Sequence, residues 1–403
     1  MRTGIARVIT AAAVACLALS SSACAEDLAD AAGVAVGTPQ ADFYDPPAES
    51  IPGQHGSVIR SQPLAGARAI PGARNHLTLY RSVDAQGKPV AVSGTLAVPE
   101  GTPPAGGWPL ITWAPGTSGV ADVCAPSRSS GSSPSIDEQA RWVAKGYAVA
   151  RTDYQGLGTP GNHGYLIGET EQRAMADLAT AAREVDRSVG ARWVAMGHSQ
   201  GGHAALFAAG AATAWAPDSP LLGAVALAPV SHIAEQVRMA KWTVSNPLGK
   251  LGAGDIALFV PLLVRGAQTV TDIDPRRFLT DRAVALLPSA DTECVAGLRD
   301  QSRWGGLSTR EVFTKDGDLS GLLRVLDDND PSGVRFSAPV LVLQGRDDVT
   351  VPLKSTDAMV AEQQMRGQTV DYRKYDGTDH SEIIAASFAD TLGWVDSRFG
   401  IAR

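Results

Sequence analysis

The chain has 403 residues, enough to bury a sizeable core, and it fits one large domain with an inserted segment. Its formal net charge of −7 and its scattered Lys and Arg residues exclude a basic surface for nucleic acid. The seven histidines and the cysteines lack the spacing of metal ligands, so we expect no metal and no other cofactor.

The N-terminus has the pattern of an export signal. Arg2 and Arg7 form a charged start, residues 8–19 are apolar, and Ala23-Cys-Ala25 fits a signal-peptidase site. The apolar run is too short to span a bilayer as a helix. We therefore expect residues 1–25 to be a signal peptide.

A second interpretation of the same segment is open. Residues 21–24 resemble a bacterial lipobox, in which Cys24 would be lipidated and retained. The protein is expected to be exported in either case, either released or anchored to the outer face of the cell envelope. Residues 26–41 are small and acidic and predict a flexible lead-in.

The first informative core segment is the short apolar run Leu110–Ala114, which predicts a buried strand, the third of the core. It ends in the loop Pro115–Gly119, which contains two glycines. Further on, Asp153 opens a polar turn after another predicted strand. We expect this aspartate, like His198 further along the chain, to hold a site together rather than to react.

The strongest motif follows the apolar strand that begins at Trp193. Gly197, Ser199 and Gly201 have the G-x-S-x-G spacing, and an Ala-rich helical pattern follows them. Glycines on both sides allow a sharp strand-to-helix turn, which lifts the serine hydroxyl out of the sheet. This pattern is typical of the nucleophile elbow of the α/β-hydrolase fold, and it predicts Ser199 as a nucleophile.

The partners of such a serine follow it in the order acid and then histidine. The predicted strand 338–344 ends in the loop Gly345–Pro352, which contains Asp347 and Asp348. The strand-like run Val370–Tyr375 is followed by His380, the last histidine of the chain. We therefore expect Ser199, Asp348 and His380 to meet at the carboxyl ends of neighbouring strands.

His380 would accept the serine proton, and an aspartate would hold the imidazole in the correct tautomer. Asp348 has the usual spacing for this fold, whereas Asp347 is the alternative acid and would otherwise cap a turn. Asp379 is a weaker candidate, because a side chain next to His380 can rarely reach its Nδ1 atom. His203 lies four residues along the elbow helix and would point away from Ser199.

Two backbone N–H groups are predicted to bind the developing oxyanion. Gln200 follows the nucleophile at a helix N-terminus, where its N–H is free to bind a negative oxygen. The second donor should come from the loop after the third strand. We assign it to Thr117, with Ser118 as the alternative.

A long helical segment separates two of the predicted strands. The sixth, at 223–229, and the seventh, from about 338, are more than a hundred residues apart, too far for an unstructured loop. We predict an α/β-hydrolase core at 42–230 and 336–403 with a helical cap at 231–335. The cap aromatics would either pack it onto the core or line an acyl-binding cleft; they are Trp242, Phe259, Phe278 and Trp304.

Several separated segments resemble the secretory lipase family of bacterial and fungal extracellular lipases, which includes the yeast lipase A type. They are 113–127, 153–161 with 163–166, 92–99, and 42–47 with 52–53. Pro115 departs from the His-Gly pair that many hydrolases carry in the oxyanion loop, which leaves the backbone donor in place but alters its position.

The resemblance implies a capped α/β-hydrolase, with a mostly parallel sheet, that hydrolyses carboxylic esters, often triacylglycerols. The expected partner is an ester or lipid substrate, and the cap could contact a lipid interface. The same triad would serve an acyltransferase or a serine peptidase, since an acyl-enzyme forms in each case. A non-catalytic envelope protein is a third interpretation, which the complete set of triad residues argues against.

The cysteines add one structural expectation. Cys16 and Cys24 belong to the signal, so Cys124 and Cys294 remain as an even pair in an oxidising compartment. A disulfide between them would tie the oxyanion-side loop to the cap.

Overall fold

In the computed structural model, residues 43–129, 134–245 and 256–402 are described. The chain divides into residues 1–45 and residues 46–403, and every element below lies in the second unit. The expected signal peptide and lead-in lie outside the described residues, and Cys16 and Cys24 lie there with them.

The described residues form a nine-stranded sheet in the order β1-β2-β3-β5-β4-β6-β7-β8-β9. The strands are β1 (Val58–Pro63), β2 (Ala73–Val83), β3 (Pro89–Pro99), β4 (Trp108–Ala114), β5 (Ala148–Thr152), β6 (Val189–His198), β7 (Leu221–Leu227), β8 (Val340–Gly345) and β9 (Val370–Tyr375). The pairs from β1 to β3 and the β3–β5 pair are antiparallel, whereas the pairs from β5 to β9 are parallel. The mostly parallel sheet expected from the sequence is confirmed.

Strand β6 shows why this sheet is buried on both faces. Trp193 and Ala195 pack in one hydrophobic cluster with the Ala-rich helices, whereas Val194 and Met196 pack in another on the opposite face. Successive side chains of a strand point to opposite sides, so a strand covered by helices on both faces reads as a continuous apolar run.

The strand numbering expected from the sequence was wrong by one. The predicted third, sixth and seventh strands are β4, β7 and β8, so the count from the sequence was one strand short. Strand β1 lies at the edge of the sheet, pairs only with β2 and has half-buried and exposed residues. Its sequence therefore lacks the apolar run or the alternation that predicts a strand.

Twelve α-helices occur in the described residues. They are α1 (Ile136–Val143), α2 (Gly168–Val185), α3 (Gln200–Trp215), α4 (Ile233–Ser245), α5 (Ile256–Gln268), α6 (Asp281–Leu286), α7 (Val295–Leu298), α8 (Thr309–Val312), α9 (Ser320–Asp328), α10 (Leu353–Met365), α11 (Ile383–Ala386) and α12 (Phe388–Phe399). Within the described ranges, no helix is both long and apolar enough to cross a membrane.

Helices α4 to α9 lie between β7 and β8, and we call this segment the helical insertion (residues 233–328). Its core includes α5, which is apolar on nearly all sides and buried accordingly. The same hydrophobic cluster contains Tyr165, Leu166 and Val351, which lie in loops near the carboxyl ends of the strands. The helical insertion therefore packs over the edge of the sheet at which the candidate site residues lie.

Candidate active site

Ser199 stands at a sharp turn between β6 and α3. Its backbone has φ 59° and ψ −117°, a conformation that non-glycine residues rarely adopt. A Cβ atom at Gly197 would lie 2.1 Å from the carbonyl oxygen of Gly201, and one at Gly201 would lie 1.9 Å from that of Ala114. Both flanking glycines are therefore required by close backbone approach, as in a nucleophile elbow.

His380 and Asp348 form a hydrogen-bonded pair beside this turn. The His380 Nδ1 atom lies 2.7 Å from Asp348 Oδ2, and the Asp348 side chain is fully buried. Because the carboxylate accepts, His380 Nδ1 carries a proton and Nε2 is left as the basic nitrogen of the neutral ring. This is the tautomer that a general base for a serine hydroxyl needs.

Asp348 is held by three further donors. Its Oδ1 accepts the backbone N–H groups of Thr350 at 2.9 Å and Val351 at 2.8 Å, and its Oδ2 accepts Gln344 Nε2 at 3.0 Å. The buried Gln344, at the end of β8, was missed by the sequence analysis. The only signal was a polar residue in an otherwise apolar strand, next to the acid loop.

The other two candidate acids lie elsewhere. Asp347 is exposed, and its backbone N–H donates to Thr378. Asp379 is also exposed. Its Oδ1 accepts the backbone N–H groups of Ser381 and Glu382, so this carboxylate stabilises a local turn. The structure thus brings Asp348, and neither alternative, to the imidazole of His380.

The loop after β4 approaches Ser199 from the other side. A Cβ atom at Gly116 would lie 3.8 Å from the Ser199 Cβ atom, and Thr117 lines the same cavity as Ser199. Two tyrosines hold this loop, since Tyr154 donates to the Pro115 carbonyl at 2.7 Å and the Tyr165 hydroxyl lies 3.0 Å from Thr117 Oγ1. The carbonyl of the alternative donor, Ser118, accepts the N–H of Val295 at 2.9 Å, which ties this loop to the helical insertion.

The side chain of Gln200 fixes the start of α3. Its Nε2 donates to Glu171 Oε1 at 2.8 Å, and Glu171 Oε2 lies 2.7 Å from His203 Nδ1. Burial lowers the pKa of His203, but the charge and hydrogen bond of Glu171 outweigh burial and raise it. The Nε2 atom of His203 donates to the carbonyl of Asn329, just past α9. His203 therefore ties α2, α3 and the helical insertion together and points away from the nucleophile.

Asp153 anchors a neighbouring loop. Its buried carboxylate accepts the Ser93 hydroxyl at 2.6 Å, the Ser127 backbone N–H at 2.7 Å and the Ser127 hydroxyl. Burial raises the pKa of Asp153, although these hydrogen bonds act in the opposite direction. The carboxylate is saturated by the protein itself, which fits a role in holding the loops of the site.

Cys124 and Cys294 form a disulfide with their Cα atoms 5.4 Å apart. The bridge packs against Gly119, where a Cβ atom would lie 2.7 Å from the Cys124 sulfur. It therefore links the oxyanion-side loop to the start of α7, beside the hydrogen bond from Val295 to Ser118.

A cavity of about 370 Å³ opens at Ser199. Most of its wall is apolar and comes from α4, α5, the acid loop and nearby loops: Leu166, Val230, Ile233, Met239, Ile256, Phe259, Leu263, Val349 and Val351. Of the four aromatic residues singled out in the sequence, Phe259 lines this cavity. Phe278 and Trp304 are buried in the core of the helical insertion, and Trp242 is about half exposed. Of these aromatics, Phe259 therefore lines the cavity, whereas Phe278 and Trp304 pack within the helical insertion.

Across the part of the chain that the structure describes, no group of three or more His, Cys, Asp or Glu side chains could hold a metal ion.

The family model for secretory lipases matches residues 138–402, which include the elbow, the acid loop and His380. The chain belongs to the secretory lipase family. Its sequence is 26% identical over 381 residues to a Mycobacterium tuberculosis protein named probable inactive lipase, covering 89% of this chain and 81% of that protein. It is 24% identical over 389 residues to lipase A of Arthroderma benhamiae, covering 88% and 78%.

Solved structures place this chain in the α/β-hydrolase fold. Lipase A of Candida antarctica in its closed state superposes with a TM-score of 0.72 at 17% identity, covering 91% of this chain and 89% of that one. The rice cell wall degrading esterase LipA of Xanthomonas oryzae gives 0.65 at 21% identity, covering 85% and 96%. The fold expected from the sequence is confirmed.

Proposed function

We propose that this secretory lipase is an active serine carboxylic-ester hydrolase, with Ser199 as nucleophile, His380 as general base and Asp348 as the acid that orients it. One observation carries the proposal: a strained serine at an elbow opens into an apolar cavity, while His380, hydrogen-bonded to the buried Asp348, lies at the same edge of the sheet. Strained backbone at a surface cavity is typical of a catalytic position.

The reaction follows from these roles. The Ser199 hydroxyl attacks the ester carbonyl while His380 Nε2 takes its proton, and Asp348 stabilises the resulting imidazolium. The backbone N–H groups of Gln200 and Thr117 are our proposed donors to the oxyanion. The tetrahedral intermediate collapses, the alcohol leaves with the proton from His380, and water then hydrolyses the acyl-enzyme by the same steps.

The name of the Mycobacterium tuberculosis relative makes loss of activity the alternative to be tested. In this chain the nucleophile, the base and the acid are all present, and the Asp348 carboxylate has hydrogen-bond donors on both of its oxygens. A protein that had lost its chemistry would be under no constraint to keep this set, and we therefore favour an active enzyme.

The cavity supports acyl esters, including acylglycerols, as substrates. An acyl chain needs an apolar wall beside a few placed polar groups, which is what Phe259, Leu263 and their neighbours provide next to Ser199. At its mouth, Met239 and Val349 are exposed by 53% and 85%. We propose that these side chains contact the lipid interface and that the helical insertion acts as a cap.

One assay tests the proposed function. Rates on p-nitrophenyl esters with acyl chains from two to eighteen carbons should be well above those of Ser199→Ala, with emulsified long chains among the substrates. A wild-type protein no faster than Ser199→Ala on every ester would refute it.

The site of action is tested separately. We propose export, with release after cleavage near residue 25 or retention through a lipidated Cys24. Mass spectrometry of the mature N-terminus distinguishes these two forms, and an uncleaved protein in the cytoplasmic fraction would contradict both.

A further inference from the structure

His198 is the last residue of β6 and directly precedes Ser199, and its side chain reaches the base. Its Nε2 atom lies 2.7 Å from the backbone carbonyl oxygen of His380, and the two imidazole rings are 4.5 Å apart. A carbonyl oxygen can only accept, so Nε2 of His198 carries a proton and donates. The main chain of His380 is thereby hydrogen-bonded to His198, the residue that directly precedes the nucleophile.

The Nδ1 atom of His198 argues against the interpretation that this side chain only fills space. His198 is buried, and its Nδ1 atom has no hydrogen-bond partner among the residues that the structure describes. An apolar side chain of similar size would fill the same space without leaving a buried nitrogen unsatisfied, which is unfavourable. The Nε2–H donor is what a histidine contributes here.

The charge state of His198 suits this role. Burial, together with the nearby His380 imidazole, lowers the pKa of His198 to about 3, so the ring is neutral near neutral pH. During turnover His380 becomes an imidazolium. A neutral neighbour at 4.5 Å adds no repulsion to that charge, whereas a cation would oppose it.

We propose that His198 is a positioning residue of the ester hydrolase: its Nε2–H fixes the main chain of His380, so that the base stays aligned between Asp348 and Ser199. The inference rests on the proposed function. His380 is then held at two points, by Asp348 at its Nδ1–H and by His198 at its carbonyl. The proton of Ser199 passes to His380 alone, and His198 takes no part in proton transfer.

Three substitutions separate the effect of the Nε2–H donor of His198 from the effect of its side-chain volume. His198→Gln places an amide N–H where Nε2 stands, His198→Asn places it near Nδ1, and His198→Met fills the space with no donor. For each variant we would measure kcat and KM on a soluble short-chain ester and the thermal unfolding midpoint. The proton between His380 and Asp348 would be followed by NMR.

We expect His198→Gln to keep kcat within about threefold of the wild type. His198→Asn and His198→Met should lose about 10- to 100-fold in kcat with KM changed by less than about twofold, as expected when a catalytic group is misplaced by about 1 Å. The proton resonance between His380 and Asp348 should persist in His198→Gln and broaden or shift in His198→Met.

Two outcomes would overturn the inference. The first is a His198→Met enzyme with the kcat of the wild type. The second is an equal loss of kcat in His198→Gln and His198→Met that follows the decrease in their unfolding midpoints. Failure of the proposed function gives a different result, in which the wild type is no faster than Ser199→Ala. In that case the NMR comparison alone decides whether His198 positions His380.

Discussion

Replacing Asp348 with asparagine should stop catalysis while leaving the fold in place. Both carboxylate oxygens of Asp348 accept hydrogen bonds, one from two backbone N–H groups and the other from Gln344 and His380. An amide has one oxygen, so one side must present its NH₂ group to donors. If the oxygen keeps the backbone pair, the NH₂ faces His380 Nδ1. That nitrogen must then accept, which moves the ring proton to Nε2, where it blocks transfer from Ser199.

The magnitude follows from this tautomer. A histidine held in the wrong tautomer is expected to lower kcat by about 10⁴-fold. Asp348→Asn also exchanges a charge-assisted hydrogen bond for a poor contact, which should lower the free energy of unfolding by about 2 kcal/mol. The domain should remain folded, because a loss of about 2 kcal/mol is less than the roughly 5–15 kcal/mol by which a typical domain is stable.

The assay is kcat on a soluble p-nitrophenyl ester, together with urea unfolding of each variant. Asp347→Asn is the matched control, because Asp347 is the adjacent residue, exposed, and bonded through its backbone rather than its carboxylate. We expect this control to stay within about twofold of the wild type, as for an ordinary surface substitution. A larger loss for Asp347→Asn than for Asp348→Asn would assign the acid to Asp347 and refute the reasoning.

Three further expectations concern stability and the lipid interface. The hydrogen bond that His55 Nδ1 donates to the Asp177 carboxylate raises the pKa of His55 above 6.5. The stability that this bond contributes is complete below about pH 6.5 and is lost as the pH rises through the folded-state pKa. His55→Gln should therefore lower the unfolding midpoint more at about pH 6 than at about pH 9, and a difference that grew with pH would contradict this. Reduction of the Cys124–Cys294 bridge should lower the free energy of unfolding by up to about 5 kcal/mol for its separation of 170 residues, as urea titrations with and without reductant would show. A non-reduced digest should contain the two cysteine peptides linked, and free thiols in exported protein would remove the bridge from the account. Val349→Asp should lower the ratio of rates on emulsified long-chain and soluble short-chain esters, and an unchanged ratio would exclude this side chain from the interface.

The elements that the sequence predicts well are those whose local chemistry admits one solution. Gly197 and Gly201 flank Ser199 because any Cβ atom would collide with backbone, and that requirement is visible as a motif. The buried strands β4, β6, β7 and β8 are apolar on both faces and are therefore visible as runs. The edge strand β1 has no such constraint and was missed.

The parts that could not be predicted depend on contacts between distant segments. Gln344 is recognisable as a positioning residue only once its amide is seen 3.0 Å from Asp348. For His198 the sequence indicates a supporting role beside the nucleophile, but its contact with the carbonyl of His380 is visible only in the structure. Likewise, nothing local to Tyr154 shows that its hydroxyl holds Pro115, 39 residues earlier in the chain. Spacing could order Asp347 and Asp348 as candidates, but which one faces the imidazole is set by the turn of the acid loop.

The most direct test of the central claim is covalent labelling of the nucleophile. An alkyl p-nitrophenyl phosphonate should release about one equivalent of p-nitrophenolate as its phosphorus bonds to the Ser199 oxygen, with loss of activity. The mass of the label should then be found on the peptide that contains Ser199. The Ser199→Ala variant should take no label and should turn over esters at least about 10³-fold more slowly. Label on a different serine, or more than a tenth of wild-type activity in a clean Ser199→Ala preparation, would contradict the account.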